Sequence, residues 1–363
     1  MRTEQKQNSC RLAILFFAAM VLGDFAIATD RYVALTGGHI SPYTNWAGAA
    51  TGIQYAINVC SSGDVVLVMN GTYYENITIG TGVVVKSANN NPANTIINGN
   101  YPVITNRCVT MAPNSWLMGF TVTNGYCARG GGISGGSASN CIITGNTASD
   151  FFSGAGAYNS TLYNCIVSKN VAGGGAIGGG ILWCIAHRCV IINNTATTGG
   201  GASESTLYNC LVVSNSAYHG GGIDGNPGTI YNCTITRNTA NTGGAIYNGE
   251  GTYVNLICWS NTPTDTDDAV DPLFVSAGDF HLQSNSPCIN TGTNVSWMED
   301  ASDIRSHDLD GNKRIWPSHG TADKGAYEYE SQQEYMTIFI FCGRGVDNMH
   351  GTSLDNVHGK IQQ

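Results

Sequence analysis

A nine-residue phrase occurs five times in the middle of the chain, and it constrains the fold more than any other feature. In each copy a Cys is followed five residues later by an Asn, and successive Cys lie 24, 24, 21 and 23 residues apart. The Cys are Cys141, Cys165, Cys189, Cys210 and Cys233, and the Asn are Asn146, Asn170, Asn194, Asn215 and Asn238. A repeat of this period indicates a stack of similar units and not a single globular core.

Each unit reads as short strands joined by turns. The phrase is rich in β-branched residues and too short for the helix of a helical repeat, so it predicts a strand of about five residues. Eight residues before most of these Cys, an apolar or small residue follows a Gly-rich run, which predicts a turn and a second strand. Stacked in register at roughly 4.8 Å, the units place the Cys in an inward column and the Asn in a ladder at a bend. We expect these Asn to tolerate the left-handed backbone of that bend. The predicted fold class is all-β, a solenoid of parallel strands known as a parallel β-helix.

The chain resembles a known group of proteins. Its Gly-Gly-Ala-Ile run at 243–246, the Cys-to-Asn phrase and residues 32–125 resemble single-stranded right-handed parallel β-helix proteins of the pectin-lyase-like superfamily. Similarity is strongest to exported bacterial members that share GGAI repeats with polymorphic outer-membrane proteins. Asp- and Pro-containing motifs between 271 and 328 resemble the module that follows such helices in surface proteins with interchangeable C-terminal anchors. This resemblance implies fold and export, but the superfamily includes lyases, hydrolases and non-catalytic adhesins, so activity stays open.

Four segments are predicted along the chain. Residues 1–28 read as a secretory signal peptide, because basic residues precede an apolar run at 12–22 and Ala-Ile-Ala at 26–28 has the form of a cleavage site. A membrane anchor is the alternative, although an apolar run of this length is short for a bilayer. Residues 29–261 are expected to form the β-helix with an N-terminal cap, including a helix at 53–57. A single strand is expected over 116–123, with Asn124 at the position of the later ladder Asn. Residues 262–329 are expected to form the anchor-type module packed at the end of the helix, and 330–363 are a tail of unknown structure.

Composition excludes some partners and bears on the thiols. A formal net charge of -9 and a pI near 5.2 leave no basic footprint for nucleic acid.

The chain has 13 Cys, which in an exported protein often indicates disulfides. A Cys that recurs once per unit in one column instead behaves as a small core residue, and stacked side chains run parallel, so we expect mostly free, buried thiols.

Two columns beside the Gly turns hold the polar residues that catalysis would need. The first contains Ser134, Tyr158, Leu182, Ser203, Asp224 and Tyr247, and the second contains Gly135, Asn159, Trp183, Glu204, Gly225 and Asn248. Neither stacks two acids, and adjacent positions of a strand normally point to opposite faces. Asp224, Glu204 and His219 are the catalytic candidates, with a solvated surface role as the alternative for each. The His219-Gly220 pair resembles the His-Gly of β-helix hydrolases.

Binding is favoured over catalysis by this pattern. Tyr158, Trp183 and Tyr247 project beside Asn and Asp side chains, an arrangement that suits sugars, because rings pack on CH groups and amides bond hydroxyls. The alternative is that these rings only cover turns. We therefore expect a secreted or cell-surface protein that binds glycan or acts as an adhesin. Its partner would be an extracellular glycan or another cell-surface component, and the mature chain would have no transmembrane span. A polysaccharide lyase or glycoside hydrolase acting on pectin-like or other extracellular polysaccharide is the alternative.

No cofactor is predicted apart from a structural Ca²⁺. The sequence Asp308-Leu-Asp310-Gly-Asn312 resembles half of a calcium loop and lacks the later bidentate acid. A second acidic group comprises Asp265, Asp267, Asp268 and Asp271. Plain polar turns are the alternative at both places.

Overall fold

The computed structural model describes residues 28–149, 151, 153–225, 228–264, 270–315 and 320–329. The predicted signal peptide, except for Ala28, and the predicted tail at 330–363 lie outside the described residues. Asp265, Asp267 and Asp268 of the second acidic group also lie outside them.

Three parallel sheets wind around one core, and the predicted right-handed parallel β-helix is confirmed. Sheet 1 has ten strands in the described residues: Asp30–Val33, Val65–Val68, Val84–Ser87, Trp116–Met118, Ser137–Ser139, Thr161–Tyr163, Ile185–His187, Thr206–Tyr208, Thr229–Tyr231 and Thr252–Val254. Sheet 2 has nine there: Gly71–Tyr73, Thr95–Asn98, Thr121–Thr123, Ile142–Thr144, Ile166–Ser168, Val190–Ile192, Leu211–Val213, Thr234–Thr236 and Ile257–Trp259. Sheet 3 has eight there: Ile77–Ile79, Val109–Met111, Ile133–Ser134, Ala157–Tyr158, Ile181–Leu182, Ala202–Ser203, Ile223–Asp224 and Ile246–Tyr247. A short fourth sheet pairs Tyr126–Cys127, Thr147–Ala148 and Val171–Ala172.

Like residues stack because every turn of the coil pairs with the next in register. In sheet 2, Ile143 pairs with Val167, and Val167 pairs with Ile191. These central residues of the strands are fully buried and belong to one continuous apolar core. Burial of these inward-facing side chains supplies the driving force for the coil.

The Asn side chains form the ladder at the bend after sheet 2. The side-chain amide of Asn170 donates to Oδ1 of Asn194 at 3.0 Å, and that of Asn194 donates to Oδ1 of Asn215 at 3.0 Å. Each Oδ1 also accepts the backbone N–H of the preceding Asn, as Asn194 Oδ1 does from Asn170 at 3.0 Å. The series begins at Asn146 and reaches Asn261. All of these side chains are buried, so the ladder satisfies backbone and side-chain groups that water does not reach.

Left-handed backbone lies one residue before the ladder Asn, and not at the Asn as the sequence reasoning expected. These corner residues are Gly145, Lys169, Asn193, Ser214 and Arg237, with φ between 54 and 64°. A second left-handed corner, with φ between 50 and 56°, precedes each Cys at Asn140, Asn164, Arg188, Asn209 and Asn232. The ladder position therefore requires Asn for its hydrogen bonds, and the residue before it adopts the left-handed conformation.

The eleven Cys among the described residues are not in disulfides, and the five of the repeated phrase are buried. Burial raises the pKa of the Cys141, Cys189 and Cys210 thiols well above the usual range. Each thiol donates to a nearby carbonyl, as Cys165 Sγ does to the oxygen of Tyr163 at 3.3 Å. The column therefore behaves as small core residues with a weak donor.

The rung before the regular repeats differs from the sequence prediction. A single strand was expected over 116–123, but Gly119 is left-handed at φ 76° and divides it into Trp116–Met118 and Thr121–Thr123. Thr123 pairs with Thr144, so Gly125, and not Asn124, stands at the ladder position. Its backbone N–H donates to Oδ1 of Asn146 at 2.9 Å and thereby starts the ladder.

A short helix at Ile53–Ile57 caps the N-terminal end, as the sequence predicts. Its Ile53 and Ala56 side chains are buried in the core. The Glu75 carboxylate accepts the backbone N–H groups of Ile53 and Gln54 at 2.7 and 2.9 Å, which satisfies two donors that the helix leaves free. In the part of the chain that the structure describes, no helix is long and apolar enough to cross a membrane.

The C-terminal segment, residues 270–315 and 320–329, packs against the outer surfaces of sheets 1 and 2. It contains an antiparallel pair, Phe274–Ser276 with Asp279–Leu282, and two 3₁₀ helices, Ser296–Glu299 and Ile304–Ser306. Phe280 packs on Leu211 and Val213 of sheet 2. Fully buried Arg314 donates to Asn209 Oδ1 at 2.9 Å and to Glu328 Oε1 at 2.8 Å, which ties the segment to the corner between sheets 1 and 2. The domain boundaries drawn from the sequence remain a prediction.

Candidate functional site

The outer side of sheet 3 carries the candidate residues in two adjacent columns. We call the first the outer column: Ser134, Tyr158, Leu182, Ser203, Asp224 and Tyr247, which pair in register from rung to rung. We call the second the turn column: Gly135, Asn159, Trp183, Glu204, Gly225 and Asn248, which directly follow the strands. Together they form the sheet-3 face.

Both columns project outward, which corrects the expectation that adjacent columns face opposite sides. Trp183 and Glu204 have left-handed backbone, with φ of 53° and 43°, so the alternation of an extended strand ends before them. The ring of Trp183 consequently lies beside Tyr158 of the outer column, with ring centroids 5.3 Å apart. Trp183 Nε1 donates to Glu204 Oε2 at 2.8 Å, which holds a carboxylate beside the indole.

Asp224 lies one rung beyond Glu204 and is buried among polar side chains. Only 7% of the residue is exposed, and its carboxylate accepts from Ser203 Oγ at 2.9 Å and from Asn248 Nδ2 at 3.3 Å. Burial raises the pKa of Asp224, and the negative charge of Glu204 raises it further. The hydrogen bonds from Ser203 and Asn248 and the neighbouring His219 oppose this rise without cancelling it. The structure therefore brings all three catalytic candidates into one electrostatic group.

His219 lies at the turn that precedes the Gly run, next to Tyr247. Its ring stacks on Tyr247 with centroids 4.7 Å apart, and its Nδ1 pairs with Thr242 Oγ1 at 2.6 Å. Tyr218 meets the same imidazole edge-on at 4.6 Å and is 55% exposed. The three predicted ligand-binding aromatics thus lie on one face, with Tyr158 and Trp183 in contact and Tyr247 beyond Asp224.

The predicted calcium residues lie apart from this face, in the C-terminal segment. Asp308 is buried, and its oxygens accept the backbone N–H groups of Asn312 at 2.7 Å and Glu328 at 2.9 Å. Asp310 instead pairs with His281, at 2.6 Å from Nε2. Asp271 accepts from the backbone N–H of Leu273 at 2.9 Å. Among the described residues, no group of three or more His, Cys, Asp or Glu side chains is arranged to hold a metal ion. Structural calcium here remains a prediction, to be tested by unfolding with and without a chelator.

Sequence reasoning missed a second line of rings, on the outer side of sheet 1. It contains Trp116, Tyr163, His187, Tyr208 and Tyr231, stacked with centroid separations between 5.1 and 5.7 Å. The signal was present, because four of these rings lie two residues before a Cys of the repeat. Trp297 and Arg305 of the C-terminal segment cover part of this line, with Arg305 5.4 Å from the centre of the Tyr208 ring. Burial, with Arg305 nearby, lowers the pKa of His187 to about 4.

A cleft of about 520 Å³ lies beside the N-terminal helix. Leu35, Tyr55, Tyr74 and Glu75 are among its lining residues, and Tyr74 is 65% exposed. The two oxygens of Glu75 accept the backbone N–H groups of the helix, so this acid has a structural partner. Tyr74 is therefore an exposed ring outside the sheet-3 face, and it can serve as a control for the rings of that face.

Comparisons with known proteins give structural similarity only. No protein-family model matches the sequence, and no curated protein is significantly similar to it. The solved structure of pectate lyase Pel9A is similar with a TM-score of 0.49 and 15% identity, over 84% of this chain and 97% of that one. A pectin methylesterase from Aspergillus niger has a TM-score of 0.39 and 15% identity, over 67% of this chain and 89% of that one.

Proposed function

We propose that the sheet-3 face binds carbohydrate, and that the protein is an exported, cell-surface glycan-binding or adhesin-like protein. The observation that carries the proposal is the contact of Tyr158 with Trp183, which is 40% exposed. A ring pair beside hydrogen-bonding groups suits a sugar, whose CH groups pack on rings and whose hydroxyls require polar partners. Glu204 lies within hydrogen-bond distance of the indole, and Asn248 extends the polar surface.

The shape of this face suits an extended chain ligand. Successive strands are separated by roughly 4.8 Å, so the four steps from the Tyr158 rung to the Tyr247 rung span roughly 19 Å. Tyr158 and Tyr247 occupy the two ends of that span, and the outer-column residues between them, Leu182, Ser203 and Asp224, are buried. A polymer lying along the helix axis would therefore meet Tyr158, then Trp183 and Glu204 of the turn column, and then Tyr247.

Ring removal tests the proposal. Trp183→Ala and Tyr247→Ala are each expected to weaken glycan retention about fivefold, because a ring platform contributes about 1 kcal/mol. Retention would be measured on immobilised polysaccharides and by calorimetry with soluble oligosaccharides. Tyr74→Ala is the matched control, since it removes a ring exposed to 65% elsewhere, and its retention should equal that of the unaltered protein. Equal retention by all three variants at unchanged thermal stability would contradict the assignment of the face.

Glycoside hydrolysis is the second candidate, favoured by the state of Asp224. Hydrolases use two carboxyl groups, one of them kept protonated by its surroundings. Burial and the charge of Glu204 raise the pKa of Asp224 in that direction. The binding proposal expects no bond cleavage. Turnover of a polysaccharide that is abolished in Asp224→Asn and Glu204→Gln, but kept in Tyr74→Ala, would replace binding by hydrolysis.

Export and surface attachment belong to the same proposal. The features that support export are the basic and apolar residues before the Ala-Ile-Ala sequence at 26–28. N-terminal sequencing of protein expressed in a bacterial host is expected to begin at Thr29, in the extracytoplasmic fraction. A chain that keeps Met1 and stays in the cytoplasmic fraction would contradict export while leaving the binding test unaffected.

A further inference from the structure

The charge of the sheet-3 face is one-sided from the Trp183 rung to the Tyr247 rung. The four stretches of sequence that build this part of the coil, residues 171–187, 195–208, 216–231 and 239–254, contain Glu204, Asp224 and Glu250 but no Lys or Arg. The whole chain has 16 Lys and Arg, so the basic residues lie elsewhere in the sequence. A bound ligand here meets carboxylates without an intervening basic side chain from these stretches.

The nearest basic residue at the position that corresponds to His219 is Arg129, which lies one rung from Tyr158 and three rungs from Glu204. Arg129 precedes Ile133 by four residues, as His219 precedes Ile223, so it belongs to the rung of Ser134. That rung is three steps from the rung of Glu204, or roughly 14 Å at the strand spacing. Exposed charges this far apart are largely screened, because the Debye length is about 8 Å at physiological ionic strength. Arg129 therefore leaves the acidic character around Glu204 intact.

The carboxylate of Glu204 is placed where an ammonium group can use the rings as well. Trp183 Nε1 fixes its Oε2 at 2.8 Å, and the ring of Tyr158 lies 5.3 Å beyond the indole. Aromatic faces attract ammonium groups, and a neighbouring carboxylate adds a direct ion pair. A uronate would instead bring a negative charge to the same place, where like charges repel.

We propose that the glycan bound at the sheet-3 face carries primary amino groups, as a deacetylated glucosamine polymer does, and that polyuronates are rejected. This inference rests on the proposed binding function and names its ligand class. Trp183 and Tyr158 form the platform, and Glu204 pairs with the amino group. Asp224 lies one rung away, is buried, and holds Ser203 and Asn248 in place.

Three oligosaccharides of equal length test the ligand class: glucosamine oligomer, its fully N-acetylated form and galacturonate oligomer. Calorimetry at about pH 6, where aliphatic amines are protonated, is expected to show at least tenfold tighter binding of the glucosamine oligomer than of the acetylated one. Its affinity should fall with added salt. No binding of the galacturonate oligomer is expected.

Charge variants then locate the selectivity. Glu204→Gln should reduce affinity for the glucosamine oligomer about tenfold and leave the N-acetylated oligomer unchanged, because only the ion pair is removed. Glu299→Gln is the matched control, an exposed carboxylate in the C-terminal segment, and should change neither affinity. Thermal unfolding would confirm that both variants are folded.

Each other result has a distinct meaning. Equal affinity for all three oligomers, lost in Trp183→Ala, would overturn the amino-sugar inference and keep the binding proposal. No binding of any glycan would overturn both. Binding of polylysine as tight as that of the glucosamine oligomer would show that the face recognises a basic peptide, and would also overturn the inference.

Discussion

Removing one rung of the Asn ladder is the most direct test of what holds this coil together. Asn194 is fully buried, and its side chain donates to Val167 O at 2.9 Å and to Asn215 Oδ1 at 3.0 Å. Its Oδ1 accepts both the backbone N–H and the side-chain amide of Asn170, each at 3.0 Å. Asn194→Ala therefore leaves two buried donors without a partner, the N–H and one amide hydrogen of Asn170, whereas the carbonyl of Val167 stays paired within sheet 2.

The expected loss follows from those two donors. A buried polar group left unpaired costs about 1 to 3 kcal/mol, so the lower end of the range gives about 2 kcal/mol for the variant. A water molecule that enters the space left by the amide can recover part of the upper range, which is why the lower end is expected. Urea unfolding followed by circular dichroism at constant pH measures the change in the free energy of unfolding. Thr195→Ala, an exposed neighbour on the same rung, is the control and should change it by less than about 0.5 kcal/mol.

A double variant sharpens the test, because Asn170 and Asn194 share two hydrogen bonds. In Asn170→Ala with Asn194→Ala, the amide of Asn170 is no longer present to be left unpaired. The combined loss should therefore be about 1 kcal/mol smaller than the sum of the single losses. A loss in Asn194→Ala no larger than that of Thr195→Ala, or strict additivity in the double variant, would refute the reasoning.

Three further predictions concern the glycines, the pH response and the thiols. Gly201→Ala should destabilise the protein strongly, because a Cβ there would lie 2.6 Å from the carbonyl oxygen of Gly222 on the next rung. Gly173→Ala is the control. The nearest atom to a Cβ at Gly173 is 4.0 Å away, so this variant should unfold like the unaltered protein in the same urea titration. Burial lowers the pKa of His281, but its bonds to Asp310 and Asp279 outweigh burial and the pKa is raised from 6.5. Its stabilising contribution is thus complete below pH 6.5 and is lost as pH rises through the folded-state value, so the stability difference from His281→Asn should shrink over that window. In native protein treated with iodoacetamide, Cys127 should react before Cys165. Burial raises the pKa of both thiols, but the hydrogen bond from Arg107 leaves the pKa of Cys127 lowered overall. Faster labelling of Cys165, followed by mass spectrometry, would contradict this.

Much of the fold was predictable, because the same residue type recurs at the same position of each rung, and each column of the coil requires one kind of side chain or backbone conformation. The interval between Cys residues, the Gly runs and the short β-branched phrase are sufficient to predict parallel strands stacked in register. The start of the series was harder. Phe120 fills the core position that Cys occupies later, and Gly125 replaces the first ladder Asn, so neither carries the repeated letters. Only the register of the pairs shows that they belong to the same columns.

The candidate site was predictable in its residues but not in its geometry. A strand alternates its side chains, and on that rule Asp224 and Glu204 belong to opposite faces. The alternation stops at Trp183 and Glu204, because both residues adopt left-handed backbone, which is more often found at Asn or Gly. Their own sequence neighbourhood gives no signal of this, whereas Asn159 and Asn248 in the same column do. Reading the column as a whole would have predicted the turn.

The C-terminal segment determines which aromatic surface is open to a ligand. Rings line the outer side of both sheet 1 and sheet 3, and each line alone would suit a sugar chain. On sheet 1, Trp297 packs edge-on against Tyr208 and Tyr231, and Arg305 lies over Tyr208. The outer side of sheet 2 is covered by Phe280. A ring that another side chain covers has less surface left for a sugar: Tyr208 and Tyr231 are only partly exposed under Trp297, whereas Trp183 of sheet 3 is 40% exposed. Binding is therefore expected to follow the sheet-3 rings in the intact chain.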